Sequence, residues 1–163
     1  MAQIELSNLP GAFAEFDDAD AARVAARSWF AVFDKRLQRH TYPFTGTPRP
    51  RRGTITMHLF ILGRAPVGMV WDHIDGNGFN NRRSNLRLCS ALENGWNRKV
   101  RKDSASGFKG VMLERCGDNI WRWRANVVAG GVKYRKWFAS AEEADVWARA
   151  KREEVHGAFA RHV

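Results

Sequence analysis

An aspartate and a histidine stand side by side at Asp72-His73, with amides following at Asn85 and Asn94. One carboxylate and one amide oxygen suffice for a small hard cation such as Mg²⁺, which keeps several waters and accepts phosphate oxygens at its other positions. His73 has a near-neutral intrinsic pKa and can deprotonate an attacking water. A neighbouring amide such as Asn85 can fix the ring by hydrogen bonding, because the wrong tautomer presents N–H where a base is needed.

These side chains need elements to hold them. Val67-Gly68-Met69-Val70-Trp71 is short, apolar and β-prone, whereas Asp75-Gly76-Asn77-Gly78 and Asn80-Asn81 are loop residues. Asn85-Leu86-Arg87-Leu88-Cys89 alternates and predicts a second strand. Ser90-Ala91-Leu92-Glu93 is a capping box that opens a helix carrying Asn94 in its first turn. The unit expected is strand, loop, strand and helix. An EF-hand calcium loop starting at Asp75 is excluded, since Phe79 and Asn80 occupy positions that need an oxygen donor and a glycine. Zinc is excluded too, because Cys89 and Cys116 form neither a CxxC pair nor a Cys/His quartet.

Asp72-His73-Ile74-Asp75-Gly76-Asn77, then Asn80-Asn81-Arg82-Arg83-Ser84-Asn85-Leu86-Arg87, then Glu93-Asn94 and Asn97, resembles the ββα-metal motif of HNH homing endonucleases of the phage and intron type. The resemblance implies Asp72 and Asn94 as metal ligands, His73 as general base and Asn85 as the residue that orients His73. It implies a divalent ion, Mg²⁺ with Mn²⁺ as the alternative. Met57-His58-Leu59-Phe60-Ile61 is similar to the segment preceding that motif, with Leu59 where Arg is usual, and a structural hydrogen bond is the role expected of His58.

The formal charge of +10 predicts a polyanionic partner, and 44% hydrophobic residues with seven Trp and ten Phe suffice for packed cores. No apolar run of about 18 residues occurs, and the N-terminus lacks a basic start followed by an apolar core. The expectation is a protein that stays in the cytoplasm of a bacterial or phage-infected cell, neither secreted nor membrane-bound. Residues 1–20 hold five acids and no Lys or Arg, whereas residues 21–52 hold eight Lys or Arg against Asp34 alone. Asp18 or Asp20 is expected to cap a short helix to about Ser28, followed by a strand over Trp29–Phe33. Lys35 to Arg52 reads as a basic hairpin or extended arm.

Residues 98–106 read as a basic linker whose Arg98, Lys99, Arg101 and Lys102 can lie along DNA. Beyond it, strands are expected over Phe108–Met112, Ile120–Val128 and Val132–Phe138, with Gly130-Gly131 as a hairpin turn. Period two places Trp121, Trp123, Ala125 and Val127 on one face of the middle strand and Arg122, Arg124 and Asn126 on the other. Ser140-Ala141-Glu142-Glu143 caps a helix to about His156. Residues 97–138 carry eleven Lys or Arg against three acids, and residues 140–155 three against five, so the sheet must face the polyanion.

Gly107-Phe108-Lys109-Gly110-Val111, Trp123-Arg124-Ala125-Asn126-Val127, Phe138-Ala139-Ser140-Ala141-Glu142-Glu143-Ala144 and His156-Gly157-Ala158-Phe159-Ala160 resemble an APETALA2-type DNA-binding domain. That resemblance implies a three-stranded sheet entering the major groove of double-stranded DNA, with Arg122, Arg124 and Asn126 facing it. The face presented by Lys133–Lys136 is left open. The resulting reading is an α+β chain: residues 1–97 hold an N-terminal region and a ββα-metal nuclease module (motif 70–97), and residues 107–163 hold a three-stranded antiparallel sheet on one helix. Its expected function is metal-dependent DNA hydrolysis of homing type by a monomer, one nick per ββα-metal site. The rival readings are a sequence-specific DNA-binding regulator with an inert motif and an accessory nuclease of phage genome processing.

Overall fold

Residues 2–16, legible in the sequence only as an acidic segment, form a β-hairpin in which β1 (Ala2–Leu6) pairs with β2 (Leu9–Phe16). The computed structural model describes residues 2–35, 38–47, 53–98, 100 and 104–162. Contacts divide the chain into two compact units, Met1–Ala91 and Leu92–Val163. Both are built from small antiparallel sheets with few helices, an α+β protein. No helix among the described residues is long and apolar enough to cross a membrane.

In the first unit Leu6, Ala14 and Phe16 of the hairpin are buried with Val24, Trp29, Ala31, Met57 and Ile61 in one core. A 3₁₀ turn at Asp18–Asp20 leads into α1 (Ala21–Ala25). The helix expected to reach Ser28 stops at Ala25, where the buried Trp29 indole donates to the Val24 carbonyl at 2.9 Å. Asp20, at the N-cap position, makes no side-chain cap and instead pairs with Arg23 at 3.3 Å and Arg83 at 3.1 Å.

Of the basic stretch, the described part gives β4 (Arg39–Gly46), the middle strand of a sheet ordered β3 (Phe30–Asp34), β4 and β5 (Thr54–Thr56). Arg36, Arg49, Arg51 and Arg52 lie outside the described residues. α2 (Met57–Leu62) follows, burying Met57 and Ile61. β6 (Met69–His73) then pairs antiparallel with β7 (Leu86–Ser90), and α3 (Ala91–Trp96) comes next. The division between units falls at the start of α3, so Asn94 belongs to the second.

That unit holds β8 (Val111–Arg115), β9 (Trp121–Ala129) and β10 (Val132–Phe138), ordered β10-β9-β8, and the 16-residue α4 (Ala141–His156). The Ser140 hydroxyl accepts from the Glu143 amide at 3.2 Å, closing the expected N-cap. Gly130 and Gly131 both take positive φ, +55° and +80°, which a two-residue turn between right-twisted strands requires. The first strand starts at Val111 rather than Phe108. Ser106 explains the delay: its hydroxyl donates to the Val111 carbonyl at 2.7 Å and accepts from the Phe108 amide at 3.2 Å, so residues 106–110 form a turn.

Val111, Ala125 and Val127 are buried with Ala141, Ala144 and Ala148 of α4, and Trp123, Tyr134 and Phe138 pack against this core. The pleat therefore sends Arg122, Arg124 and Asn126 to the opposite face. The register Lys133↔Val128, Arg135↔Asn126 and Trp137↔Arg124 settles the third strand: Lys133, Arg135 and Trp137 share that face, while Tyr134 and Phe138 turn towards α4.

Candidate active site

Asp72 and His73 close β6 and are almost wholly inside, at 6% and 5% exposure. Asp72 lies directly across the ladder from Arg87, whose Nη2 and Nε approach Asp72 Oδ2 at 2.9 and 3.0 Å. His73 ends the strand where the loop 74–85 begins, and among the described residues three side chains are seen against its ring.

The first is Asn81, which is fully buried. Its Oδ1 lies 3.3 Å from His73 Nε2, while its Nδ2 donates to the carbonyls of Gly78 at 3.3 Å and Phe79 at 3.1 Å. With both amide hydrogens engaged by acceptors, the oxygen must face the ring, and a neutral His73 carries its proton on Nε2. The basic lone pair is then on Nδ1. Sequence reasoning did not single out Asn81, although it lies in the motif; it is one of four loop amides, with Asn77, Asn80 and Asn85, that composition cannot tell apart.

His58 and Tyr42 are the other two. The His58 ring meets His73 edge-on, with centroids 5.2 Å apart and planes at 88°, and Tyr42 lies 5.7 Å from each imidazole. His58 makes the structural hydrogen bond expected of it, Nε2 to Thr56 Oγ1 at 3.2 Å. Burial, and then the nearby charge of His73, push the His58 pKa down to about 4. The His73 imidazole is also held below its ordinary value by burial, against the opposing pull of Asn81, Asp75 and Asp72. Both rings are neutral at neutral pH, as a general base must be.

Asn85 directs its side-chain hydrogen bonds to the loop that follows His73. The Ile74 amide donates to the Asn85 carbonyl at 2.9 Å, so Asn85 lies one step past the ladder and its side chain meets the next loop residue. Asn85 Oδ1 accepts from the Asp75 amide at 3.1 Å, and its Nδ2 donates to Asp75 Oδ1 at 3.0 Å and the Asn80 carbonyl at 2.8 Å. Burial raises the Asp75 carboxyl, but hydrogen bonds from the Asn77 backbone, Asn85 and Asn80, with the charge of His73, outweigh it and leave the group below its usual range. Asn85 thus pins the loop that follows the Asp72-His73 pair.

The same loop is strapped to the N-terminal hairpin. Glu15 on β2 donates its amide to the Phe79 carbonyl and accepts from the Asn81 amide, each at 2.8 Å. Glu15 pairs with Arg82 at 2.7 Å, Asp17 accepts from the Arg83 amide at 2.9 Å, and both Asp20 oxygens lie 3.1 Å from Arg83 Nη2. The acids of residues 1–20 hold two arginines of the motif.

Among the described residues no group of three or more His, Cys, Asp or Glu is placed to hold a metal ion. The donor chemistry nonetheless fits a hard divalent cation, because Asp72 offers a carboxylate and such an ion completes its shell with water and phosphate oxygens. Asn94 lies half-buried on α3. Arg98 is exposed, and Lys99, Arg101 and Lys102 lie outside the described residues.

On the outer face of the second unit's sheet, Arg122 is exposed, whereas Arg124 pairs with Glu114 at 2.9 Å. Glu114 also accepts from the Trp137 indole at 3.2 Å, and Asn126 accepts from Arg135 at 3.3 Å.

Comparison with known proteins matches the stretch that carries Asp72, His73 and Asn85. The model of the HNH endonuclease family covers residues 57–96, and the chain belongs to this family. It is 38% identical over 99 residues to Protein 3.8 of Escherichia phage T7, an alignment covering 61% of this chain and 79% of that protein. It is also 33% identical over 114 residues to Uncharacterized HNH endonuclease L560 of Acanthamoeba polyphaga mimivirus, covering 66% of this chain and 57% of that protein. The chain thus spans a little over half of the mimivirus protein's length. No solved structure matches.

Proposed function

We propose that this chain is a metal-dependent endonuclease of homing type that hydrolyses phosphodiester bonds in double-stranded DNA. The observation that carries the reading is the buried Asp72-His73 pair with Asn81 fixing the ring. In the reaction, water gives a proton to His73 Nδ1 as its oxygen bonds to phosphorus, and the bond from phosphorus to the 3′ oxygen breaks. The leaving oxygen takes a proton from solvent. Asp72 and, by family resemblance, Asn94 would hold the ion in a ββα-metal arrangement, with Mg²⁺ first and Mn²⁺ second in expectation. A bound divalent ion supplies charge stabilisation at the phosphoryl group and the leaving oxygen.

The outer face of the β8–β10 sheet is the proposed DNA-binding surface, in the manner of an APETALA2-type domain, with Arg122, Arg124 and Asn126 joined by Lys133, Arg135 and Trp137. Arg98, Lys99, Arg101 and Lys102 would add phosphate contacts. The proposal includes action as a monomer that nicks one strand, in the cytoplasm of a bacterial or phage-infected cell.

One contact favours a second reading, a DNA-binding regulator with an inert motif: Arg87 already holds an oxygen of Asp72 at 2.9 Å. Incubating supercoiled plasmid with the full chain in Mg²⁺, in Mn²⁺ and in excess chelator separates the two. The nuclease reading expects relaxed circles in the metal lanes alone. Intact plasmid in every divalent ion, with DNA still bound, would leave the regulator.

A further inference from the structure

We infer that Tyr42, from the N-terminal region outside the matched nuclease segment, is a positioning residue of the active site that holds the His73 imidazole in its working orientation. The inference rests on the reading of His73 as the base. Tyr42 lies on β4, in a stretch that the sequence presents as a basic arm, and the family model matches residues 57–96.

Three observations converge on it. The tyrosine ring packs against His73 and against His58 with centroids 5.7 Å away in both cases, so the three rings form one mutually packed cluster in which Tyr42 is a wall against the His73 imidazole. The approach of β4 to the nuclease loop is close enough to dictate a residue there. A Cβ on Gly78 would come within 2.2 Å of the Thr41 carbonyl oxygen and 2.6 Å of the Tyr42 ring. Gly78 is needed for space alone. Finally, Gly78 is itself coupled to His73, since its carbonyl accepts from Asn81, whose oxygen faces His73 Nε2. Tyr42 therefore bears on the imidazole directly through the ring and indirectly through the backbone that orients Asn81.

The physical consequence is restraint. An imidazole can pivot about a hydrogen bond such as the one to Asn81, and the Tyr42 and His58 rings packed against it and against each other limit that pivoting. Misplacing a catalytic group by about an ångström costs up to roughly a hundredfold in rate. Tyr42 is 41% exposed, so its removal opens the wall without hollowing the hydrophobic core.

The test compares Tyr42→Ala, Tyr42→Leu and Tyr42→Phe in the 163-residue chain. Single-turnover cleavage of plasmid in Mg²⁺ and DNA affinity are measured together with the imidazole ¹H–¹⁵N resonances of His73. The expected result for Tyr42→Ala is a kcat lower by roughly ten- to a hundredfold with unchanged DNA affinity and displaced His73 ring resonances. Tyr42→Phe restores both, because it keeps the wall. Tyr42→Leu keeps apolar bulk if the alanine variant does not fold, and is expected to fall between them. Unmoved His73 resonances in a folded Ala or Leu variant would overturn the inference, as would wild-type kcat in either. A wild-type chain that cuts no DNA would end the nuclease reading, while the ring resonances would still decide whether Tyr42 positions His73.

Discussion

The two candidate surfaces of this molecule use polar side chains in opposite ways. Around β6 and β7, Asp72, His73, Asn81 and Asn85 are buried and held by partners within the unit, whereas on the outer sheet face Arg122, Lys133 and Arg135 stand exposed. Burying polar groups costs free energy unless each finds a partner, so a cluster of them marks a place where orientation matters. Exposed cations need little support and can exchange water for phosphate. Glu114 is the intermediate case, since it holds Arg124 and Trp137 on the otherwise cationic face.

Damage to the buried cluster should accordingly appear in chemistry or stability and damage to the sheet face in binding. The largest effect is expected from Asp72→Ala, which should remove metal-dependent cleavage altogether; it also leaves Arg87 without this carboxylate, so cleavage is to be read against DNA binding. Divalent-ion titration of activity checks it, and an unchanged metal profile would remove Asp72 from the ligand set.

Next is the strap. Asp20→Ala leaves the Arg83 and Arg23 guanidiniums without their buried carboxylate, at a cost of about 1–3 kcal/mol in unfolding free energy measured by urea. Cleavage should fall along with stability, since the loop carrying Asn81 is held by the same hairpin.

An effect confined to acid pH comes from His58. Its pKa is 6.5 in the unfolded chain and about 4 when folded, so between those values the unfolded state binds more protons. Stability should be full above pH 6.5 and fall as pH drops towards 4, by somewhat less than the limit of roughly 1.4 kcal/mol per pH unit because the ring is only half-buried. His58→Asn should flatten that limb in urea midpoints measured across the range.

The smallest effect belongs to the sheet. Arg122→Ala should lower the slope of log K against log salt by about one unit if Arg122 meets a phosphate. For Arg124 the expectation is relaxed discrimination at one base position, by roughly 1–3 kcal/mol, with less change in slope. Wild-type affinity, specificity and slope in the double variant would mean that this face does not meet DNA.

What the sequence made legible was local. The period of two put Trp123, Ala125 and Val127 on one side of a strand, Gly130-Gly131 marked its turn, and Ser140 with Glu143 marked the following helix, because each signal is set by neighbours in the chain. The strap was not legible: Asp20 and Arg83 are 63 residues apart, and an acidic N-terminus reads as solvated charge until its partners are known. Asn81 and Asn85 show the same limit at short range. Both are motif amides, and only the path of the loop past the end of the β6–β7 ladder decides which one reaches His73.

The central claim is that the buried pair at the end of β6 does chemistry, and His73→Ala tests it most directly. Single-turnover cleavage of plasmid in Mg²⁺ should fall by a factor of roughly 10² or more, as expected for loss of a general base, while DNA affinity stays at the wild-type value. Cleavage within a few-fold of wild type at equal DNA binding would contradict the account.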